Sequence, residues 1–188
     1  MHGRIFWQMR DFVEARYGRG SWVDLLKTAG IQDQVYLSRP YPDSEAVALL
    51  DAVSTMTGKP LAAVLQEFGE FAAPSLLTLY GHLIKPEWRT LDVIEHAEGT
   101  AHGMVRREEP GSAPPYLRTQ RCSPRKLLLI YNSPRKMCSF AVGLGIGMGK
   151  HFQETLMIRH RLCMQHGDDQ CEILFETLES PVQAIRPK

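Results

Sequence analysis

The chain has 188 residues, 44% of them hydrophobic and 23% charged, with a formal net charge of +1. That length suits one domain able to withdraw roughly 70% of its unfolded surface from water. The near-neutral balance excludes a dedicated nucleic-acid binder, whose footprint is a strong basic excess. No apolar run approaches the ~18 residues of a membrane span, so no membrane insertion is expected and a cytoplasmic location is the default. In that reducing setting Cys122, Cys138, Cys163 and Cys171 are read as thiols or metal ligands and not as disulfides.

Residues 1–90 read as helical. Ile5, Phe6, Met9, Phe12 and Val13 recur at helical spacing and Gly18 to Gly20 stop that segment. Ser21 is placed to cap a second helix through Trp22, Leu25 and Leu26, closed by Gly30. Asp43 or Ser44 opens a third, through Ala46, Leu49, Leu50 and Val53 to Gly58. Pro60 stands where a first helical turn tolerates proline, ahead of Leu61, Val64, Leu65 and Phe68 on one face. Leu76 to Tyr80 extend the helical region, and Leu91, Val93, Ile94, Ala97 and Ala101 build the helix that carries His102.

The character changes after Pro110. Residues 116–121 and 126–131 read as two strands joined by a Cys-Ser-Pro turn. Ser133-Pro134 starts a helix expected from Arg135 to about His151, and residues 155–161 and 171–178 form a final strand pair. The expected fold class is α+β: a helical N-terminal lobe, then a small antiparallel sheet crossed by one long helix. Residues 1–180 are taken as a single domain, with subregions 1–60 and 61–180, followed by a frayed tail, 181–188.

Four features carry chemistry. His102 offers a neutral imidazole on a helix, a good ligand for porphyrin iron, although His2, His82, His96, His151, His160 and His166 compete with it on spacing alone. Tyr131, Ser133 and Arg135 offer a phenol, a hydroxyl and a guanidinium converging on one side of a strand end, a set suited to carboxylates. The same three residues could equally be a core tyrosine, a helix cap and a surface ion pair. Cys138 with His160, Cys163 and Cys171 has the donor set of a closed Cys3His zinc site, the loop between the last two cysteines turning at Gly167; reduced, buried or redox-active thiols are the alternative. A local basic field around Arg106, Arg107, Arg118, Arg121, Arg125, Lys126, Arg135 and Lys136 suits an anionic ligand or a solvated face. The Gly143-x-Gly145-x-Gly147-x-Gly149 run lacks a Walker lysine-serine pair and is read as close helix packing, not a phosphate loop.

Taken together, Met1-x-Gly3, the His102 helix, Ala113-Pro114-Pro115, Tyr131-x-Ser133-x-Arg135, and Gly143-Leu144 with Gly147 resemble the haem-nitric oxide/oxygen binding (H-NOX) domains, related to the sensor domain of soluble guanylate cyclase. The likeness spans residues 1–178. It implies haem b between the two lobes, with His102 as proximal ligand, Pro115 pressing on the porphyrin, and Tyr131, Ser133 and Arg135 on its propionates. It implies a distal pocket of Ile5, Met9, Phe71, Ala72, Phe140 and Leu144. At the position of Phe140 some relatives carry an oxygen-stabilising tyrosine, so this chain is expected to sense nitric oxide, and to bind carbon monoxide, while discriminating against oxygen. A bacterial subset similar around Cys138, His160, Cys163 and Cys171 binds structural zinc, with His166 as rival to His160. No catalytic set emerges. The implied action is non-enzymatic: nitric oxide breaks the iron–histidine bond and the shifted lobes are read by a histidine kinase or a cyclic-di-GMP enzyme. A zinc/thiol redox sensor with haem secondary, and a haem-independent adaptor, remain the rival readings.

Overall fold

The computed structural model describes residues 3–31, 41–108 and 111–178. Met1, His2, Pro110 and the tail from Pro181 lie outside the described residues. Helix α1 (Gly3–Tyr17) buries Phe6, Met9, Phe12 and Val13 along one stripe. It ends at Gly18, whose φ of +96° closes the helix in the left-handed region that glycine enters at no steric cost. Ser21 opens helix α2 (Ser21–Thr28) without capping it. The cap comes from the preceding helix instead: the Glu14 carboxylate accepts the backbone N–H groups of Gly20 and Trp22, each at 3.0 Å. The Ser21 hydroxyl donates backward to the Gly18 carbonyl at 2.6 Å.

Helix α3 (Asp43–Thr57) begins directly after Pro42, and neither Asp43 nor Ser44 caps it. The Asp43 carboxylate is engaged by Arg135, 92 residues away in sequence, at 3.0 and 3.2 Å. Helix α4 (Leu61–Leu79) is continuous through Leu76 and Leu77 despite Pro74 inside it. Among the described residues, no helix is long and apolar enough to cross a membrane.

The segment carrying His102 is not one regular helix. Helix α5 (Thr90–His96) gives way to a wider π turn over residues 98–102, and helix α6 (Gly103–Glu108) follows. The turn is closed by a five-residue bond, His102 N–H to the Ala97 carbonyl at 3.0 Å. Such bulges reset side-chain direction within a helix and are frequent at functional sites.

Strands β1 (Tyr116–Ser123), β2 (Lys126–Asn132), β3 (Leu156–Leu162) and β4 (Cys171–Thr177) form an antiparallel sheet in the order β1-β2-β4-β3. Leu127, Leu129 and Tyr131 share one face of β2 and meet Phe175, Ile173 and Cys171 across the ladder, so that face is fully buried, while Leu128 is covered on the other. Helix α7 (Cys138–Phe152) starts three residues later than the expected Arg135. Residues 133–137 form a tight turn in which Lys136 adopts a left-handed φ of +51°. The Ser133 hydroxyl accepts the Arg135 backbone N–H at 3.3 Å and so caps the turn rather than a helix.

Among the described residues two large hydrophobic cores and a small third one result. One joins α1 to α4, another joins the sheet to α5 and α7, and the third gathers Leu77, Trp88 and Val93. Helices α4 and α7 cross at backbone contact between them. A Cβ on Gly69 would overlap the Phe140 carbonyl, one on Gly143 the Gln66 carbonyl, and one on Gly147 the Ala73 side chain. The glycine run is therefore a packing surface, as its sequence context suggested. Gly143→Ala should destabilise the fold by about 1–3 kcal/mol through forced separation of the helices. Gly81→Ala, with nothing within 4 Å of its added methyl, should stay within about 0.5 kcal/mol of wild type. Chemical denaturation of both variants checks the contrast.

Candidate functional site

A cavity of about 250 Å³ opens at the boundary of the two large cores. It is slightly below the ~300–1,000 Å³ range of small-molecule pockets. Helix α4 contributes Leu76 and Leu77 and α7 contributes Phe140, Leu144 and Met148; further wall comes from Ile5 on α1, the 80–84 turn, Val93, residues 97–105, the 112–115 loop, the near ends of β1 and β2 and the turn that holds Arg135. The lining is mostly carbon, with polar groups at a few points.

His102 is one of those points. The π turn presents its ring to the cavity, and its Nδ1 is 3.2 Å from Glu98 Oε2. Burial pushes the imidazole below its ordinary pKa, outweighing the opposite pull of Glu98 and of the Pro115 carbonyl. The ring is therefore neutral near pH 7 and has a lone pair to offer a metal. Pro115 lies in the same wall, and Arg106 holds its carbonyl at 3.1 Å.

At the guanidinium end, Tyr131 and Arg135 line the cavity. Tyr131 is 3% exposed, and its phenol oxygen accepts the buried Met137 backbone N–H at 3.2 Å. Burial raises the Tyr131 pKa, outweighing the downward pull of its hydrogen bond with Ser133, so the phenol stays protonated and can donate. Ser133 is buried and lies behind the cavity wall, not in it. Arg135 donates to both Asp43 oxygens and to the Ala113 carbonyl. Beside Ala113, the Ser112 hydroxyl oxygen is buried in the wall with no hydrogen-bond partner. A ligand carboxylate would satisfy it.

The distal residues expected from the resemblance divide. Ile5, Phe140 and Leu144 line the cavity. Met9 and Ala72 do not: both are fully buried in the N-terminal core, and Phe71 packs against that core, 5.6 Å from the Phe12 ring. Their helix faces are consumed by the packing of α1 on α4, which a one-dimensional pattern does not reveal. Glu98, Ser112 and Tyr80, none of them a site residue expected from sequence, join His102 here, Tyr80 and Ser112 as wall residues. Glu98 carried a usable signal, being four residues before His102 and so on the same helical face.

The thiols form a second cluster. Sγ atoms of Cys138, Cys163 and Cys171 lie within 4.8 Å of one another, with Cys138 and Cys163 at 3.7 Å. Cys138 starts α7, Cys171 starts β4, and the loop between Cys163 and Cys171 turns at Gly167, φ +103°. Asp168 pins that loop by accepting the Cys163 backbone N–H at 2.7 Å. Burial and the neighbouring sulfurs push the Cys138 thiol far up, and burial raises Cys171 as well. His160 is not in this cluster. It stands opposite Ile173 and so faces the thiol side of the sheet, but on edge strand β3 it is exposed and close to His166. Cys122 is exposed and apart.

The model of the Haem-NO-binding family matches residues 2–160. The chain belongs to that H-NOX family. A search of curated proteins by sequence gave no significant match. Among solved structures, an H-NOX protein from S. oneidensis in its Fe(II)NO state is 27% identical, with a TM-score of 0.88 over 95% of this chain and all (100%) of that one. The same organism's H-NOX domain in its Fe(II)CO state, solved by NMR, is 27% identical with a TM-score of 0.85, covering 96% and 100% of the two chains. The unliganded Fe(II) H-NOX protein from K. algicida, at 22% identity and a TM-score of 0.84 over 96% and 98%, shares the fold. The α+β architecture expected from sequence is thus that of H-NOX structures. H-NOX domains bind haem and act as gas sensors, and the cavity here fits that group in kind: carbon walls for a macrocycle, a neutral imidazole for iron, and an arginine, a phenol and an orphaned hydroxyl for carboxylates.

Removing the phenol oxygen that holds the buried Met137 N–H should cost about 1–3 kcal/mol, the penalty of an unsatisfied buried donor. Tyr131→Phe measured by urea denaturation checks this, with an unchanged far-UV spectrum showing that the fold persists.

Proposed function

We propose that this chain is a non-enzymatic haem-based sensor of nitric oxide, signalling to a partner protein by release of His102. One observation carries the reading: His102, Pro115, Tyr131 and Arg135, contributed by a helical turn, a loop, a strand end and a tight turn, line one apolar cavity. Bound haem b supplies a ferrous centre able to take an imidazole and a diatomic gas. His102 provides the imidazole, directed by the π turn and held by Glu98. Pro115 adds a rigid ring to the wall beside it. Tyr131 and Arg135 grip carboxylates at the far end, with Ser133 orienting the phenol.

Ile5, Phe140 and Leu144 supply only carbon to the cavity. A bound dioxygen gains from a hydrogen-bond donor, whereas nitric oxide and carbon monoxide need none, so these residues favour the latter two. Tyr80 is a hydroxyl-bearing wall residue to test against this selectivity. Release of His102 frees the 98–102 turn, which is bonded to β1 and to the 112–115 loop through Glu98 and Arg106. A partner that binds the two arrangements with different affinity reads the change; a histidine kinase or a cyclic-di-GMP enzyme is the expected type. Cys138, Cys163 and Cys171 hold zinc in this reading, zinc taking the thiols as thiolates and releasing their protons, and His160 completes the set only by turning inward from the β3 edge. The proximity of three buried thiols also supports a second reading, a thiol redox sensor in which a peroxide takes two electrons from a pair of the thiolates, is reduced to the hydroxide level, and leaves a disulfide that no longer holds the metal.

His102→Gly should lose the haem absorption band, and added imidazole should restore it; a variant that keeps its haem without imidazole sinks the assignment. In the ferrous wild-type protein, nitric oxide should convert the histidine-bound spectrum to a histidine-free one, and retention of the histidine-bound form would overturn the release step. Exposure to air should leave the ferrous spectrum without an oxygen adduct; an adduct lost in Tyr80→Phe would locate the missing donor. Metal analysis should find stoichiometric zinc that disappears in Cys171→Ser.

A further inference from the structure

The cavity histidine has an anionic neighbour that none of the sequence motifs includes. Glu98 Oε2 accepts from His102 Nδ1 and from the Leu117 backbone N–H, both at 3.2 Å, while Oε1 takes Arg106 Nη1 at 2.6 Å. Arg106 then reaches the Pro115 carbonyl. The carboxylate therefore links the π turn, α6, β1 and the Pro-Pro loop at the back of the imidazole. The Glu98 and His102 side chains are 33% and 22% exposed, so solvent screens the contact only in part.

Resting on the haem reading above, we propose that Glu98 is a positioning residue that tunes the strength of His102 as an iron ligand. By accepting the Nδ1 proton, the carboxylate fixes the tautomer and leaves Nε2 as the nitrogen that coordinates. A charged acceptor also draws that proton away from the ring, giving the imidazole part of the character of an imidazolate and raising its basicity. A more basic ligand stabilises the ferric over the ferrous state and strengthens the bond that gas binding has to break. Arg106 shares the same carboxylate and weakens this pull. The Glu98–Arg106 pair thus sets how readily His102 lets go.

Glu98→Gln tests this, since the amide keeps the shape and an acceptor oxygen but loses the charge. In the haem-loaded full chain, resonance Raman spectroscopy of the ferrous form should show the iron–histidine stretch moving to lower frequency. Spectroelectrochemistry should show the midpoint potential moving upward. Arg106→Met should move both in the opposite direction, and it supplies the test if Glu98→Gln fails to retain haem. A potential that shifts while the stretch stays fixed overturns the proposal, because loss of any charge near the cavity alters the potential without touching the ligand. A stretch that is unchanged in both variants overturns it as well. The His102→Gly and imidazole experiment separates the two levels: haem not held by His102 defeats the haem reading and this one together. Haem held by His102 with a fixed stretch defeats only the role of Glu98.

Discussion

Helices α4 and α7 touch backbone to backbone, and the placement of nearly every other element follows from that contact. Gly69, Gly143 and Gly147 leave no room for a methyl group between them. The opposite side of α7 is equally constrained, since a Cβ on Gly145 would run into the Phe175 ring on β4. Helix α7 is thereby clamped between the helical core and the sheet. Phe140 and Leu144 then project into the space left at the boundary, while Cys138 at the helix start meets the thiols of the sheet end. Dispersion and exclusion of water act over the whole crossing, so the cavity wall is as rigid as the core that supports it.

Within that frame the polar groups are few, and apart from the orphaned Ser112 hydroxyl each has a partner or a cause for its state. The imidazole is kept neutral by burial even with a carboxylate beside it. The phenol is kept protonated by the same cause, and the guanidinium is satisfied by Asp43 on α3 and a loop carbonyl. That last pair ties the helical lobe to the mouth of the cavity, so a carboxylate arriving at Arg135 competes with Asp43 for the same donors. Charge at one end and a neutral imidazole at the other, separated by carbon, orient a flat amphipathic guest without shape recognition at every atom.

Much of this was readable from the chain. The apolar periodicity of α1 to α4, the strand at residues 126–131 and the spacing between His102 and the Tyr-x-Ser-x-Arg triplet needed no coordinates. What escaped has local physical reasons. Ser133-Pro134 has the form of a helix start, yet two nearby hydrogen bonds, from Arg135 N–H to Ser133 and from Met137 N–H to Tyr131, spend the segment on a turn. The π turn at His102 leaves the apolar pattern intact and so gives no sign of itself. Met9 and Ala72 belong to a helix interface whose facing only tertiary packing decides. Ser21 looks like a cap, but a longer-range carboxylate, Glu14, does that work. His160 shares the sheet face of the thiols by register, although the edge position leaves its ring in solvent.

The left-handed turn at Lys136 separates Arg135 from Cys138, and its carbonyl accepts the Gln165 side-chain amide at 2.9 Å. A lysine there endures a backbone shape that asparagine or glycine would adopt more easily. Mutational drift at this position is consequently one-sided: exchanges toward small, turn-forming residues cost little, whereas branched side chains are barred whatever their charge. The loop bearing two of the three thiols is tied to that same carbonyl, so its spacing from the carboxylate grip is inherited as a unit. Insertions or deletions between Arg135 and Cys138 would break both at once, which makes this short interval intolerant of any change in length.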